Sequence, residues 1–276
     1  MDGIIIASSN GAIEDCFKFL DQMISYDEGT LTPTHFVQST PNAPAGQLAL
    51  MGKTTGYNIT HVSSGLAFEG AVLDALMLFE EGEAKELLVG AVEELSECHY
   101  VLHKKVDHFK TTEIDANTLF DSNTAGSVYG EGATSFVFTN TPTPEGIQLK
   151  DVAFINFPEG NELEERVNAF LTINGLTVDQ IDAVIVGMSG DSRFDYRYQE
   201  LIDAHFSGQS IYTYKNLVGE YPTSSAFATW MGYQLLKGSA IIDEAVQRKG
   251  NRANNRVLIY NHYYDGYHGL LLLEKD

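Results

Sequence analysis

The run His61-Val62-Ser63-Ser64-Gly65 is the strongest local case for chemistry in this 276-residue chain. Small residues between a buried strand and a buried helix form a sharp turn that exposes a side chain, and the helix N-terminus adds amide donors for an oxyanion. Ser63 or Ser64 is a candidate nucleophile there, with His61 as its base. His61 and Ser63 are two residues apart on a strand and share a face, but no adjacent residue orients the imidazole. The competing reading is a small-residue turn whose hydroxyls cap the helix.

Other reactive side chains are less well placed. Cys16 falls on the apolar face of a helix, where a free cysteine acts as a small hydrophobe. Cys98 stands near Glu93, Glu94 and Glu97, which disfavour a thiolate. Two cysteines make no disulfide framework, and neither CxxC nor HExxH occurs. His99, His103 and His108 bracket Lys104 and Lys105 and read as a solvated loop. Glu80, Glu81, Glu83 and Glu86 read as a solvated helix end. His262, His268 and the tyrosine-rich stretch 260–267 are either pocket lining or an ordinary strand end with exposed tyrosines. We expect no metal and no cofactor.

The elements that must carry these residues follow from periodicity. Residues 3–9 form a β-branched buried strand, and Ile13, Cys16, Phe17, Leu20 and Met23 mark an amphipathic helix over 13–25. Residues 26–41 read as loop, 43–53 as helix and 58–64 as strand. A helix over 66–79 holds Ala67, Gly70, Ala71 and Ala75, small enough for close packing. Strand 86–92 completes a βαβ unit and predicts parallel pairing. Residues 104–127 read as a long loop. Strands 132–139 and 147–157 are expected as an antiparallel pair across the turn Thr141–Gly146. Helix 163–174, strand 181–187, helix 196–205, strand 210–214, helix 224–237 and strands 256–261 and 268–273 follow. The fold class is α/β, with two related lobes, 1–145 and 146–276.

Composition narrows the function. Hydrophobic residues make up 43% of the chain, enough to build a core rather than a disordered coil. Lys+Arg is 17 against Asp+Glu 38, a formal charge of -21. That field repels nucleic acid and anionic membrane surfaces. No apolar run approaches the roughly 20 residues that span a bilayer. Met1-Asp2-Gly3 has no basic n-region of a secretory signal. A cytoplasmic protein is expected.

Several segments together resemble the β-ketoacyl synthases of the thiolase superfamily. Residues 11–20 (GAIEDCFKFL) are similar to the family's GxxED helix. Phe36-Val37-Gln38-Ser39-Thr40-Pro41-Asn42, with Ala45-Gly46, is similar to its F-x-x-S-x-x-N-x-x-AG segment. Residues 62–91 resemble its elbow, helix and glycine strand, and Gly130-Glu131-Gly132-Ala133 its GEGA turn. Lys215, Gly219 and Ser224-Ser225-Ala226 resemble its lysine segment. The resemblance implies a thiolase-like fold layered α-β-α-β-α, with the N-terminal lobe shortened.

The departures bear on activity. The family's cysteine nucleophile, three residues before the elbow glycine, falls on Val62. One histidine falls on Glu220; the other falls near Gly187-Met188, a loop without histidine. The glycine-rich gating loop becomes Tyr264-Asp265-Gly266-Tyr267. Only Lys215 remains, and a lysine can simply hold a loop by bonding carbonyls. Condensation needs a thiolate to carry the acyl chain and donors to stabilise an enolate. The resemblance therefore points to a cysteine-less subunit of chain-length-factor type, expected to pair with an active ketosynthase in fatty acid or polyketide (polyene-type) synthesis. Phe36, Ser39, Asn42, Ser63 and Ser64 are then expected at the subunit interface or acyl tunnel. Acyl carrier protein would engage indirectly, through the active subunit. The alternatives are a silent homodimer that binds an acyl ligand or scaffolds a pathway, and a Ser63-dependent thioester hydrolase.

Overall fold

The computed structural model describes residues 1–29 and 31–275. In chain order the elements are β1 (Gly3–Ser8), α1 (Ile13–Ser25), α2 (Pro33–Gln38), α3 (Ala43–Gly52), β2 (Tyr57–Val62), α4 (Ala67–Glu80), β3 (Glu86–Glu93), α5 (Glu97–Lys105) and β4 (Gly132–Thr139). Then come β5 (Ile147–Asn156), α6 (Glu162–Ile173), β6 (Ala183–Val186), α7 (Tyr196–His205), β7 (Ser210–Thr213) and α8 (Lys215–Val218). The last are α9 (Ser225–Lys237), β8 (Val246–Arg248), β9 (Arg256–Tyr263) and β10 (Tyr267–Lys275).

Two sheets carry the architecture, in the orders β2-β1-β3-β4 and β5-β10-β9-β6-β7-β8. All six residues of β1 are buried, as its isoleucine run requires, so β1 takes a central place. β2 and β3 both run parallel to β1, one on each side. The pairing expected within the βαβ unit does not form: β2 and β3 are not neighbours, because β1 lies between them and each runs parallel to it. The expected β4–β5 hairpin does not form. β4 pairs antiparallel with β3 in the first sheet, and β5 pairs antiparallel with β10 in the second. The reason is Leu270–Leu273, a buried apolar run that needs a strand on each side; β9 supplies one and β5 the other.

Helices α4 and α9 lie between the sheets. Ala67, Ala71 and Ala75 of α4 pack with Ala226, Ala228 and Met231 of α9 in one core cluster that takes side chains from both sheets. The small residues permit this close approach. Outside the second sheet, α6 and α7 bury Val167, Phe170, Leu171, Tyr198 and Leu201. Outside the first sheet, the fully buried apolar set is Ile4, Ile6 and Ala45. The order is α-β-α-β-α, with one thinly covered outer face.

Two stretches expected as loops contain helices. Pro33 starts α2 within 26–41, where its fixed φ suits a first helical turn. Ser96 caps α5 by accepting from the His99 amide at 3.1 Å, and Ala116–Asp121 forms a 3-10 turn capped by Asp115.

The GEGA turn passes against the Lys215 segment with no room for a side chain: a Cβ on Gly130 would meet the carbonyl oxygen of Val218. Gly130→Ala should therefore cost about 2 kcal/mol through overpacking. For a chain of this size that lowers Tm by roughly 6 °C, measurable by thermal unfolding.

Candidate functional site

β2 is one of the two edge strands of the first sheet, β4 being the other. Alternation along it sends Asn58, Thr60 and Val62 to one face and Tyr57, Ile59 and His61 to the other. The Asn42 side chain donates to Asn58 Oδ1 at 3.1 Å and to Thr60 Oγ1 at 3.2 Å. The Phe36–Asn42 segment is thereby tied to the Val62 face. Phe36 packs at a tilt against Phe19 with ring centroids 5.3 Å apart and stays 56% exposed. Ser39 Oγ donates to the Phe36 carbonyl at 2.8 Å, closing α2. Val62, where the resemblance expects a cysteine, is 51% exposed and has no reactive atom.

On the other face His61 has an orienting partner after all. Its Nε2 lies 3.0 Å from Asp74 Oδ2, on α4, and Tyr57 Oη donates to the same carboxylate at 3.1 Å. The local sequence does not show this, because Asp74 is 13 residues downstream and meets His61 only when α4 packs on β2. No hydrogen bond joins His61 to Ser63 or Ser64 among the described residues; both serines are exposed. His61 Nδ1 instead faces Gly70, where a Cβ would sit 3.3 Å away. The serine triad is thus not assembled. The capping alternative also fails, since α4 is preceded by Leu66 with no side-chain cap. The elbow is held by packing: a Cβ on Gly65 would collide with Tyr263.

The polar centre lies deeper. α8 ends at Gly219, whose φ of 79° turns the chain back. The Glu220 amide donates to the Val128 carbonyl at 2.7 Å, and the Gly130 amide to the Glu220 carbonyl at 3.1 Å. This clamp brings Glu220 Oε2 to 2.7 Å from Lys215 Nζ, which also donates to the His262 carbonyl at 3.1 Å. Both side chains are buried. Burial raises the Glu220 carboxyl to about 7, against the pull of Lys215. Glu220 is therefore not the free anion its sequence position suggests.

The space beside this pair is filled from within. A Cβ on Gly187, near the expected place of a family histidine, would strike Asn261 Oδ1 and come 2.7 Å from Tyr198 Oη. Tyr214 Oη donates to Asn261 Oδ1 at 2.8 Å, and the His262 amide to Tyr198 Oη at 2.8 Å. The His262 ring stacks on Tyr198 with centroids 4.3 Å apart. Burial, and then Lys215, hold its imidazole well below the usual range. His268 is buried too, 2.9 Å from Tyr260 Oη. The stretch 260–267 is thus mostly core rather than an exposed strand end. Its signal was the apolar strand on either side.

The three histidines expected in a solvated loop instead pack together. His103 Nδ1 lies 2.8 Å from His108 Nδ1, and His108 stacks on Tyr264 at 3.9 Å. Phe109 and Tyr129 complete the aromatic cover. Desolvation lowers all three imidazoles, His103 to about 4. Tyr264 and Asp265 form the β9–β10 turn at positive φ, tied down by Arg197. A cavity of about 270 Å³ adjoins Lys215, Tyr129 and Leu119. A larger one of about 510 Å³ lies at the end of α9, away from these residues. Among the described residues, no three His, Cys, Asp or Glu side chains are placed to hold a metal ion, and no helix is long and apolar enough to cross a membrane.

Residues 1–112 match the family model of the β-ketoacyl synthase N-terminal domain. No curated protein matches the chain. A β-ketoacyl synthase from Burkholderia phymatum shares the fold with a TM-score of 0.81 at 18% identity, over 99% of this chain and 75% of that one. A structure of a ketosynthase in complex with its chain length factor from Xenorhabdus doucetiae gives 0.78 at 16% identity, over 99% and 74%. The ishigamide ketosynthase/chain length factor gives 0.71 at 16%, over 99% and 72%. The two-sheet, five-layer architecture is that of a thiolase-like α/β protein. Within that class the chain is similar to the β-ketoacyl synthases, by sequence over residues 1–112 and by fold over nearly its whole length.

Two predictions follow from the buried charges. Glu220→Ala should lose about 3–5 kcal/mol, because it strands Lys215 without a counterion. The double variant Lys215→Met/Glu220→Leu should lose less than either single change in urea unfolding, since it removes both charges. Glu69, wholly buried on α4, is raised to about 7, chiefly by burial. Its folded value exceeds its unfolded value, so its stabilising protonation is full below the unfolded value and is lost as pH rises through about 7. Glu69→Gln should therefore raise the urea midpoint at about pH 8 and lose that advantage at about pH 4.

Proposed function

We propose that the chain is a catalytically silent ketosynthase-like subunit that pairs with an active, cysteine-bearing ketosynthase and helps bound its acyl chain. The observation that carries this reading is Val62: the position where the resemblance expects the cysteine is exposed and has no nucleophilic atom, so no acyl thioester forms on it. The polar centre agrees with it. Glu220 is paired with Lys215, and Asn261 and Tyr198 fill the space beside Gly187.

A pairing role has its own physical support. β2 presents an unpaired strand edge, a template for another chain. Beside it, Leu50 and Met51 of α3 are each more than 80% exposed, and Val62 is exposed on the face of β2 that α3 covers. Exposed apolar side chains beside an unpaired strand edge favour association with another chain. Neighbours of the fold include ketosynthase and chain length factor complexes, and a type II ketosynthase with its acyl carrier protein. By analogy, carrier protein would dock on the active subunit, since a chain of formal charge -21 repels an acidic carrier.

Purification of the native complex tests the reading. A one-to-one assembly with a cysteine-bearing ketosynthase is the expected result; a self-sufficient homodimer overturns it. In the active assembly, Phe36→Ala should lengthen the products, read by mass spectrometry of the released acyl chains, and an unchanged product distribution would remove Phe36 from the tunnel.

A further inference from the structure

The cavity of about 510 Å³ at the end of α9 is remote from the polar centre and has a chemistry of its own. Its floor is aliphatic: Leu235 and Leu236 from the last turn of α9, Ile241 from the segment that follows, and Val246 from β8. Lys249, Lys275 and Asn254 are among the polar side chains around that floor. No Asp or Glu lines the cavity among the described residues. Ligand sites of about 300–1,000 Å³ combine an apolar lining with a few placed polar groups in this way.

Charge selects the ligand. Lys+Arg is 17 against Asp+Glu 38 in the whole chain, yet residues 245–264 contain four Lys or Arg and no Asp or Glu. Three of the four are committed to the protein itself. Arg248 donates to the Phe206 and Gln209 carbonyls, Arg252 to the Asp179 carbonyl, and Arg256 to Glu274 at 2.7 Å. Lys249 is held only by Asp243, at 3.7 Å, with side chains 76% and 93% exposed; such a pair is worth little in water. Lys275 donates one N–H to the Leu236 carbonyl at 3.0 Å and has two more to give. Asn254 Oδ1 is buried with no hydrogen-bond partner among the described residues, so its amide can turn to offer a ligand oxygen an N–H.

A cation finds fewer acceptors there. The Gln234 carbonyl is taken by the Ser239 amide at 2.9 Å, the Leu235 carbonyl by the Gly238 amide at 3.0 Å, and the Leu236 carbonyl by Lys275. Asp182, the carboxylate behind Asn255, accepts from the Asn255 and Arg256 amides at 2.9 and 3.0 Å. The acidic charge of the rest of the chain is screened beyond about 10 Å at 0.1 M salt. We propose that this cavity binds an aliphatic carboxylate of medium chain length, its head drawn to Lys249 and Lys275 and its chain laid on the leucine floor. The site is independent of the partner-subunit reading and goes beyond it.

Calorimetric titration of the full chain with octanoate, below the concentration at which it forms micelles, provides the test. At about 0.1 M salt octanoate should fill one site at least tenfold more tightly than 1-octanol, which lacks the charge, or acetate, which lacks the chain. Screening at about 1 M salt should weaken octanoate and leave octanol unchanged. Lys249→Met, at an exposed side chain, should weaken octanoate about fivefold with an unchanged urea midpoint, and Lys249→Arg should restore it. Ala253→Trp, at an exposed position on the cavity wall, should abolish binding. Octanoate that binds no better than octanol, or not at all, overturns the inference. Acetate that binds as tightly as octanoate reduces the site to an adventitious ion only. Binding that survives both Lys249→Met and Ala253→Trp lies elsewhere and overturns it too. A native complex without a ketosynthase would remove the partner reading and leave the octanoate result as it stands.

Discussion

The ion pair between Lys215 and Glu220 is the constraint around which the centre of this molecule is arranged. Removing two such charges from water costs several kcal/mol for each ion. The 2.7 Å contact and the His262 carbonyl offset that cost only while α8, the Gly219 turn and β9 hold their places. The clamp on Glu220 uses backbone groups of Val128 and Gly130, so the GEGA turn is bound into the same unit. Three distant parts of the sequence thus meet at one carboxylate. Such a pair contributes little net stability against an apolar replacement, but it penalises every arrangement that separates its partners. Its role is to hold the centre in one geometry.

Packing extends outward from the pair. Tyr198, Tyr214 and Asn261 occupy the space next to Gly187. The His103–His108 pair and Tyr264 cover it from the loop side. All of these groups are uncharged or held near neutrality by desolvation. A reaction that builds negative charge needs preorganised donors with free hydrogen-bonding capacity; here Lys215, the strongest donor, is already engaged twice.

What the sequence made legible follows the range of the interactions. Helices and strands set by local periodicity, such as α1, α4, α7 and β1, lie where their spacing puts them. Short motifs with a steric cause also read well, because Gly130 and Gly219 occupy places where a side chain collides or the backbone turns left-handed. The partnering of β5 with β10 was not legible, since it depends on which strand a buried leucine run recruits across more than 100 residues. The orientation of His61 by Asp74 and the burial of the histidine cluster were hidden for the same reason. Composition around His99–His108 looks solvated; the arrival of Tyr264 and Tyr129 from elsewhere half-buries the three imidazoles.

The two outer layers show where the chain is incomplete in itself. Both sheets are twisted α/β surfaces that must be covered on each face. α6 and α7 supply Val167, Phe170, Leu171 and Leu201 to the second sheet, and its outer face is dry. On the first sheet α3 contributes Ala45 and Ala49, while its Leu50 and Met51 point to water. α1 and α2 add no fully buried residue. Helices that short gain their stability from tertiary packing rather than from propensity. An N-terminal layer that withholds its largest apolar groups from its own core is stabilised when another surface takes them up, whereas the C-terminal layer has no such need. The large apolar groups that the first sheet's outer layer leaves to solvent are therefore gathered on its helices, Leu20 and Ile24 on α1, Val37 on α2, and Leu50 and Met51 on α3.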